Sequence, residues 1–352
     1  MDVDYLIVGH GIAGTLLSYE LMRQGSSVIV IDNEDPQRSS LVAGAVINPM
    51  AGKHWMPSKD AAVLIPQAIE TYTEMGRLLH ASFLSPIDLQ VYHQTEGERD
   101  AFTLKCGQFP EQMSLMSPEQ QAESGFADLA GAGVINGLWL VQSSELLAAW
   151  KDYLIKNKSF LSGSFDQQAL QVGAYHIRYQ DIKAGNIIFC EGAVAMHNPL
   201  FTKLPFTQNR GEALLLAIPG LSQQHIYHRK YRLIPKGDDL FWYGSNYKWN
   251  SPDLEPDETW RAEAWAELAS WMKLPFSLKA HIEARRPTTA GQMPFIGRHP
   301  QFPAVSIFNG LGTRGFSAGP YWAKAFAAVL QGRETAISGY NQERFSRFFN
   351  TP

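Results

Sequence analysis

The stretch Asp4-Tyr5-Leu6-Ile7-Val8-Gly9-His10-Gly11-Ile12-Ala13-Gly14 decides how this chain begins to fold. Its apolar half predicts a buried strand, its glycines predict a tight turn, and the residues after them predict a helix that stops at Gly25. A second apolar strand then runs over residues 27–31 and ends on Asp32. Strand, glycine turn, helix and strand in this order predict a dinucleotide-binding unit.

The three glycines of this turn have separate mechanical roles in such a unit. Gly9 permits the sharp turn, Gly11 lets a diphosphate approach the backbone, and Gly14 lets the helix pack closely on the strand. The helix start at Ile12 and Ala13 offers free N–H groups and a partial positive charge to the diphosphate. We therefore expect these five residues to contact a bound dinucleotide.

Asp32 stands at the end of the second strand, about 20 residues beyond the glycines. An acid at this place can accept hydrogen bonds from both ribose hydroxyls. A glycine turn in an unrelated α/β protein is the alternative interpretation. The unit by itself leaves open whether the dinucleotide is NAD or FAD.

The composition is that of an ordinary globular protein. The chain has 352 residues, 45% hydrophobic and 18% charged, and this length accommodates two domains. A net charge of −4 gives no overall attraction to nucleic acid or to an anionic membrane, although a local basic groove stays open.

The cysteines and the chain start carry expectations about compartment. Cys106 and Cys190 lie far apart without a metal-type spacing, so we expect neither a disulfide framework nor a metal site. The chain enters its first strand without a signal-type segment, and no apolar run is long enough to span a bilayer. A cytoplasmic protein is expected.

Small residues occur again in the segments Ser39-Ser40 and Ala43-Gly44. They predict backbone in close contact with something bulky, and the alternative is a small-residue helix start packed on the sheet. Further along, the apolar run 187–190 leads into Gly192 and Ala193. This run predicts a buried parallel strand that returns to the nucleotide site.

The rest of the chain predicts a second kind of unit. Apolar spacing predicts a long helix over 58–83, and Ser143 is the expected N-cap of a helix that reaches about Lys156. Strands are expected over 164–172 and 174–179. Strands separated by short turns over 204–286, with a helix over 259–273, predict an antiparallel sheet. The strand 305–309 then precedes a second glycine turn, 310–316, and a helix over 318–330.

These clusters together resemble the FAD-dependent oxidoreductases of the D-amino-acid oxidase superfamily, on the glycine oxidase and sarcosine oxidase side. Five pieces in this order carry the resemblance: Gly9 to Gly14 with Asp32, Ser39 to Gly44, Cys190 to Ala193, Arg286 to Gly297, and Gly310 to Phe316. The resemblance implies a Rossmann-like, α/β FAD-binding domain interleaved with a mainly antiparallel-sheet (α+β) substrate domain. The implied ranges are 1–60, 141–205 and 287–352 for FAD, and 61–140 and 206–286 for substrate.

The resemblance also implies how the cofactor is held. FAD is expected to be non-covalent, because neither cysteine lies near the C-terminal glycine clusters. The pyrimidine end of the flavin would be held by N–H groups of the second glycine turn. The residues expected there are Gly310, Gly312, Thr313, Arg314, Gly315 and Phe316.

In the glycine oxidase branch, an arginine before a proline at the position of Arg286 resembles the clamp for the substrate carboxylate. A guanidinium matches a carboxylate with two parallel hydrogen bonds. On a strand Arg285 and Arg286 face opposite ways, so only one can face the flavin. An ion pair with a structural carboxylate is the alternative for Arg286.

The family often adds a tyrosine hydroxyl to that clamp, and here the sequence departs from the family pattern. The aligned position is Arg232, with Tyr231 beside it. A second cation there would receive a larger or more acidic substrate. Otherwise the tyrosine role falls to Tyr231 itself, to Tyr243 or to Tyr247.

The implied reaction is oxidation of a C–N bond in a small amino acid or secondary amine, with a hydride passing to flavin N5 and the imine hydrolysed in water. The electron acceptor that reoxidises the flavin and the homo-oligomeric state stay open. The alternatives are a flavin component acting on a carboxymethylaminomethyl-type modified tRNA uridine, an electron-transferring subunit of an amino-acid dehydrogenase, and an FAD-binding protein with little turnover.

Overall fold

The computed structural model describes residues 1–52, 54–58, 60–127, 129–249, 256–341 and 343–350. Its helices are α1 (Ile12–Arg23), α2 (Ser39–Val42), α3 (Ala61–Leu79), α4 (Glu96–Gln108), α5 (Pro118–Ala122), α6 (Ser143–Lys156), α7 (Glu258–Ala269), α8 (Gly315–Leu330) and α9 (Glu343–Asn350). Short 3-10 helices cover Gln167–Ala169, Gly192–His197 and Gly312–Arg314.

The strands follow one another along the whole chain. They are β1 (Asp2–Val8), β2 (Val28–Asp32), β3 (Val46–Ile47), β4 (Met50–Ala51), β5 (Met56–Pro57), β6 (Leu84–His93), β7 (Met113–Leu115), β8 (Gly131–Val141), β9 (Phe160–Ser162), β10 (Leu170–Val172), β11 (Ile177–Tyr179), β12 (Ile182–Phe189), β13 (Phe206–Ala217), β14 (His225–His228), β15 (Arg232–Pro235), β16 (Leu240–Gly244), β17 (Lys248–Trp249), β18 (Ser277–Thr289), β19 (Phe295–Arg298) and β20 (Val305–Asn309).

The first sheet contains the strands of the glycine unit. Strands β9, β2, β1, β12 and β20 lie side by side and parallel, while β19 and the β10–β11 hairpin are antiparallel additions. Val8 is in register with Ile31 on one side and with Phe189 on the other. The carboxyl ends of these strands therefore lie together at one edge, which is where parallel sheets bind ligands.

A layer of helices covers one face of this sheet. Helix α1 is buried along most of its length and packs against α8. Trp150 of α6 donates a hydrogen bond to Ser18 Oγ (2.8 Å), and the Tyr72 hydroxyl of α3 donates one to Phe316 O (2.9 Å). These buried polar contacts fix α3 and α6 against the two helices whose N-termini face the sheet edge.

The second sheet is mainly antiparallel, as the sequence predicts. Its strand order is β18-β13-β16-β15-β14-β6-β8-β3, with β17 also on β13 and β7 also on β8. Strands β14 and β6 run parallel, and the other pairs are antiparallel. The fold class expected from the sequence, a Rossmann-like unit interleaved with an antiparallel sheet, is confirmed. The exact domain boundaries stay a prediction, and β3 lies in the range 1–60 yet pairs in the second sheet.

Residues 39–47, which we call the connecting segment, tie the two sheets together. Ser40 Oγ accepts a hydrogen bond from the backbone of Ile12 (2.9 Å), at the start of α1. Two residues later, Val42 O accepts one from the Trp242 indole of β16 (2.9 Å). The segment then enters the second sheet as β3, in register with residues 139–140 of β8. A continuous stretch of backbone therefore joins the two sheets on this side.

Several element bounds differ from those predicted. The helix expected over 58–83 is Ala61–Leu79, because His80 takes a left-handed conformation (φ 55°) and Ala81 N bonds back to Gly76 O. Ser143 is the first residue of α6 and not its N-cap, which is Gln142. The strand expected over 164–172 is shorter, since residues 167–169 form a 3-10 turn.

Within the described ranges, no helix combines the length and the apolar character needed to cross a membrane.

Candidate active site between the two sheets

The first glycine turn has the close packing that its sequence predicts. Gly9 has a left-handed φ of 104°, and a Cβ there would overlap the carbonyl of Cys190. A Cβ at Gly14 would overlap the carbonyl oxygen of Gly9 itself. Helix α1 can therefore start directly on top of the strand only because both positions lack a side chain.

The N-terminus of α1 presents backbone donors at the sheet edge. The first N–H groups of a helix have no intrahelical acceptor, and Gly11 has no side chain to cap them. Ser40 Oγ accepts the N–H of Ile12 and lies 3.2 Å from where a Cβ of Gly11 would stand. This hydroxyl, the N–H group of Ala13 and the helix dipole form a cradle that fits a diphosphate.

Asp32 is buried at the end of β2 and already accepts several hydrogen bonds. Its carboxylate accepts from the backbone N–H of His10 (2.6 Å) and of Glu34 (2.7 Å), and it pairs with Arg38 (2.9 Å). Arg38 also donates to His10 O (2.9 Å) and so braces the glycine turn. A carboxylate has about four lone-pair sites, and these three donors occupy most of them. Few sites stay free to accept hydrogen bonds from a ribose. The ribose role of Asp32 stays a prediction, and Arg38 is a feature that the sequence did not single out.

The second glycine turn lies against the first. Gly310 and Gly312 have left-handed φ values of 79° and 56°, and the turn leads through Thr313 and Arg314 directly into α8 at Gly315. A Cβ at Gly315 would stand 3.1 Å from Ile12 Cγ2. The N-termini of α1 and α8, more than 300 positions apart in the chain, therefore point into the same space.

Gly192 and Ala193 follow β12 at the same sheet edge. Gly192 O accepts a hydrogen bond from the side chain of Asn309 (2.9 Å), the last residue of β20. Next to them, burial raises the pKa of Glu191 to about 7, and Asn198 donates a hydrogen bond to its carboxyl (2.8 Å). This pair belongs to the sheet edge and not to the wall of the cavity described next.

A cavity of about 850 Å³ lies between the sheet edge and the second sheet. It brings together many of the residues predicted to bind FAD, from three separate parts of the chain. From the first sheet and the connecting segment it is lined by Ile12, Ser39, Ser40, Ala43, Gly44, Gly312, Thr313, Gly315 and Phe316. A cavity of this volume beside the N-termini of two helices fits a dinucleotide cofactor.

Arg286 lines the same cavity from the second sheet. Its guanidinium donates hydrogen bonds to Asn209 Oδ1 (2.8 Å) and Ser245 Oγ (2.9 Å), and it lies 5.0 Å from the centroid of the Tyr247 ring. A Cβ at Gly211 would overlap the guanidinium. The side chain therefore crosses from β18 over the neighbouring strand β13, and it can do so because residue 211 is glycine.

The choice between the two adjacent arginines follows from strand register. Ala284 and Arg286 line the cavity and Gly211 is paired with Ala284. Successive side chains of a strand point to opposite faces, so Arg285 lies on the other face, beside its register partner Arg210. Arg286 is the arginine that faces the cavity.

The candidate tyrosines have different surroundings. The Tyr231 hydroxyl accepts a hydrogen bond from the Trp260 indole (3.1 Å), and the Tyr243 hydroxyl is bonded to Glu267. Both rings belong to a core cluster on the far face of the sheet, although Tyr231 also touches the cavity. Tyr247 lies against Arg286, and 60% of it is exposed. The placement therefore favours Tyr247 and gives the predicted clamp role of Tyr231 no support.

A buried polar network holds the segment that contacts Arg286, and the sequence did not reveal it. Glu212 is fully buried and its backbone N–H donates to Asn246 Oδ1 (2.7 Å). The Glu212 carboxylate accepts from Asp257 N (2.8 Å) and lies 2.9 Å from His281 Nε2. Asn246 is flanked by Ser245 and Tyr247. The network therefore positions Ser245 and Tyr247, two of the three residues that contact the Arg286 guanidinium.

Comparison with known proteins gives a consistent result. The family model for FAD dependent oxidoreductases matches residues 4–329. The glycine oxidase of Pseudomonas aeruginosa is 23% identical over 364 residues, which cover 96% of this chain and 97% of that protein. Among solved structures, iminodiacetate oxidase from Chelativorans sp. BNC1 has a TM-score of 0.77 at 21% identity, covering 97% of this chain and 98% of that one. Glycine oxidase from Geobacillus kaustophilus also has a TM-score of 0.77, at 18% identity and 98% coverage of both chains. At these identities the structural similarity shows a shared fold.

Proposed function

The chain belongs to the FAD-dependent oxidoreductase family, and from this premise we propose that it oxidises the C–N bond of a small amino acid or secondary amine. The family confirms the expected cofactor and the expected enzymatic character. Glycine oxidase, which is similar along nearly the whole chain, supports an amine substrate. The predicted FAD-binding residues of both glycine turns stay part of the proposal.

The main support for the proposal is the position of Arg286 and the absence of charge on its hydrogen-bond partners. Arg286 is a cation in the wall of the cavity, and both of its hydrogen-bond partners, Asn209 and Ser245, are neutral. Burial lowers the pKa of this arginine, which means that its surroundings leave the positive charge poorly solvated. A substrate carboxylate would compensate that charge with two parallel hydrogen bonds.

The chemistry divides between the cofactor and the chain. Bound FAD supplies the acceptor for the hydride that leaves the substrate α-carbon. Arg286 fixes the carboxylate and thereby the position of the α-carbon, which is the contribution that such a transfer needs most. The amine loses one proton to water and the α-carbon loses a hydride, so the C–N single bond becomes an imine. Water then adds to the imine and gives the carbonyl compound and the free amine.

Anaerobic flavin reduction tests the proposal. The purified FAD-loaded protein is mixed with glycine, sarcosine, proline and D-amino acids, and loss of the flavin absorbance is followed. We expect at least one amine to bleach the flavin, and Arg286→Met to raise the concentration needed by about 100-fold or more, because a buried charge partner is lost. Retained FAD and an unchanged thermal midpoint in the variant serve as the control for folding. Bleaching that is unchanged in Arg286→Met would contradict the role of the arginine.

A second candidate function has one observation in its favour. Lys105 and Lys230 line the cavity from the second-sheet side, and Lys230 is exposed. Basic residues beside a flavin pocket are what an RNA-borne substrate, such as a carboxymethylaminomethyl-modified uridine in tRNA, would contact. If none of the free amines bleaches the flavin and a modified tRNA does, this second candidate replaces the first.

A further inference from the structure

Arg232 lies on the same face of the second sheet as Arg286. On β15, Arg232 pairs with Gly244 of the next strand, β16. Gly244 pairs in turn with Ala213 of β13, and Ala213 pairs with Ile282 of β18. Directly paired residues share a face, and so do alternate residues of one strand. Arg286, four positions beyond Ile282, therefore shares the face of Arg232, and both line the cavity.

The two side chains line the cavity from different strands of the second sheet. Their strands are three places apart, which separates the two backbones by about 14 Å at the usual strand spacing. The Arg286 guanidinium lies over Gly211 of β13 and bonds to Ser245, beyond β16, so it extends towards Arg232. The phenol of Tyr247 is close enough to both guanidinium groups to act on their pKa values. The part of the cavity that contains the two cations is therefore bordered by Tyr247.

Arg232 is left without a compensating group by the part of the chain that the structure describes. No hydrogen bond or ion pair from these residues reaches its guanidinium, and burial lowers its pKa. Among the described residues that line the cavity, Glu98 is the acid, and its carboxylate accepts the backbone N–H of Gln94 (2.7 Å). Arg232 is half-buried, so its guanidinium donors stay available to a ligand in the cavity. Its retention beside a substrate site is explained if a ligand supplies the missing negative charge.

We propose that the substrate is a dicarboxylic amine, with one carboxylate bound by Arg286 and the second by Arg232. This inference rests on the proposed function and narrows it to one substrate class. The carboxylate bound by Arg286 is attached to the carbon that is oxidised. The carboxylate bound by Arg232 is carried by the side chain of the substrate or by a second substituent on its nitrogen. A guanidinium fork is suited to each of them, because both acids are planar acceptors.

Binding of non-oxidisable acids to the FAD-loaded protein tests the proposal without turnover. The probes are acetate, propionate and butyrate as monoacids, and malonate, succinate and glutarate as diacids. Affinities are measured by calorimetry and by the change in the flavin spectrum. We expect at least one diacid to bind about tenfold or more tightly than each monoacid, since a second charge-assisted pair is formed. Equal affinities for diacids and monoacids in the unmodified protein would overturn the proposal.

Two variants assign the effect to Arg232. Arg232→Met should bring the best diacid down to monoacid affinity while monoacid binding changes little, and Arg232→Lys should keep part of the preference. Lys279→Met removes an exposed cation of β18 that does not line the cavity and should leave the preference intact. A preference lost equally in Lys279→Met would indicate a general effect of net charge and would contradict a direct contact with Arg232. If Arg232→Met does not fold, the lysine variant and the diacid-to-monoacid ratio of the unmodified protein still decide the question.

The two proposals fail in distinguishable ways. If no amine bleaches the flavin but diacids bind tightly, the oxidation reaction is wrong and the dianion site stands. If glycine or sarcosine bleaches it and diacids bind no better than monoacids, the oxidation reaction stands and the dicarboxylic substrate is wrong.

Discussion

Gly211→Ala is the sharpest test of how the second sheet positions its arginine. A Cβ at this position would overlap the Arg286 guanidinium, which is the far end of a flexible side chain. The backbone of Gly211 has no left-handed φ, so alanine itself is not strained there. We expect the strand to stay in place and the guanidinium to move, breaking its contacts with Asn209 (2.8 Å) and Ser245 (2.9 Å).

The size of the effect follows from the bonds at stake. A hydrogen bond to a charged group contributes about 1.5–3 kcal/mol. If the displaced guanidinium makes one bond to the substrate carboxylate where it had made two, apparent substrate binding weakens about 10- to 150-fold. The amount of bound FAD should not change, because the residues of the glycine turns are untouched.

The assay is the dependence of anaerobic flavin reduction on substrate concentration, using the amine that the unmodified protein oxidises best. Gly107→Ala is the matched control, because Gly107 is exposed in α4 and no heavy atom lies within 4 Å of the added Cβ. That variant should bind substrate normally. A folded, FAD-loaded Gly211→Ala protein with unchanged apparent affinity would show that the position of Arg286 does not control substrate binding.

Three further outcomes are expected. Gly14→Ala should yield folded protein with little bound FAD, measured as flavin absorbance per chain, because its Cβ would overlap Gly9 O; full FAD content would refute the close-packing argument. Glu212→Ala should lower the free energy of unfolding in urea by about 3–5 kcal/mol, since it removes a fully buried carboxylate that lies 3.7 Å from the buried Arg210 and accepts the N–H of Asp257 (2.8 Å), while the exposed-site variant Lys156→Ala should change it little. The pKa of Glu191 is about 7 in the folded protein and 4.5 in the free side chain. Between these two pH values the folded state therefore binds more protons than the unfolded state, and stability falls as the pH rises from about 4.5 to 7. The thermal midpoint of Glu191→Gln should fall less over that range, and an equally steep fall would contradict the burial of this carboxyl.

The local parts of the fold were predictable from the sequence. The glycine turn, α1 and the two strands around it depend on contacts between residues close in the chain, and their pattern is periodic. The same holds for Gly310 to Phe316, where two of the glycines, Gly310 and Gly312, have left-handed backbone. The errors arise where two local arrangements suit the same residues. Ser143 could cap α6, but the helix begins one position earlier than expected, so Ser143 is its first residue and Gln142 is its N-cap.

The parts that depend on long-range register were not predictable. Alternation along β18 indicates that Arg285 and Arg286 face opposite ways, but which one faces the cavity is fixed by the pairing with Gly211 on β13. The Glu212 network joins residues from 212 to 281, and no spacing in the sequence signals it. Arg38 could have been noticed as a base six positions after Asp32, although its double contact with the acid and with His10 O depends on the folded turn.

The connecting segment has a consequence for the time course of turnover. It is bonded to α1 through Ser40, to β16 through Val42 and to β8 as a strand, so a hinge motion on that side would have to break a β-ladder. Tyr247 lines the same cavity and 60% of it is exposed, so rotation of this side chain is a way to admit small molecules that breaks no β-ladder. Exposed side chains reorient in picoseconds to nanoseconds, whereas domain hinges take microseconds to milliseconds. An entrance that opens by side-chain rotation would leave chemistry or flavin reoxidation, and not gating, to set the rate of the enzyme.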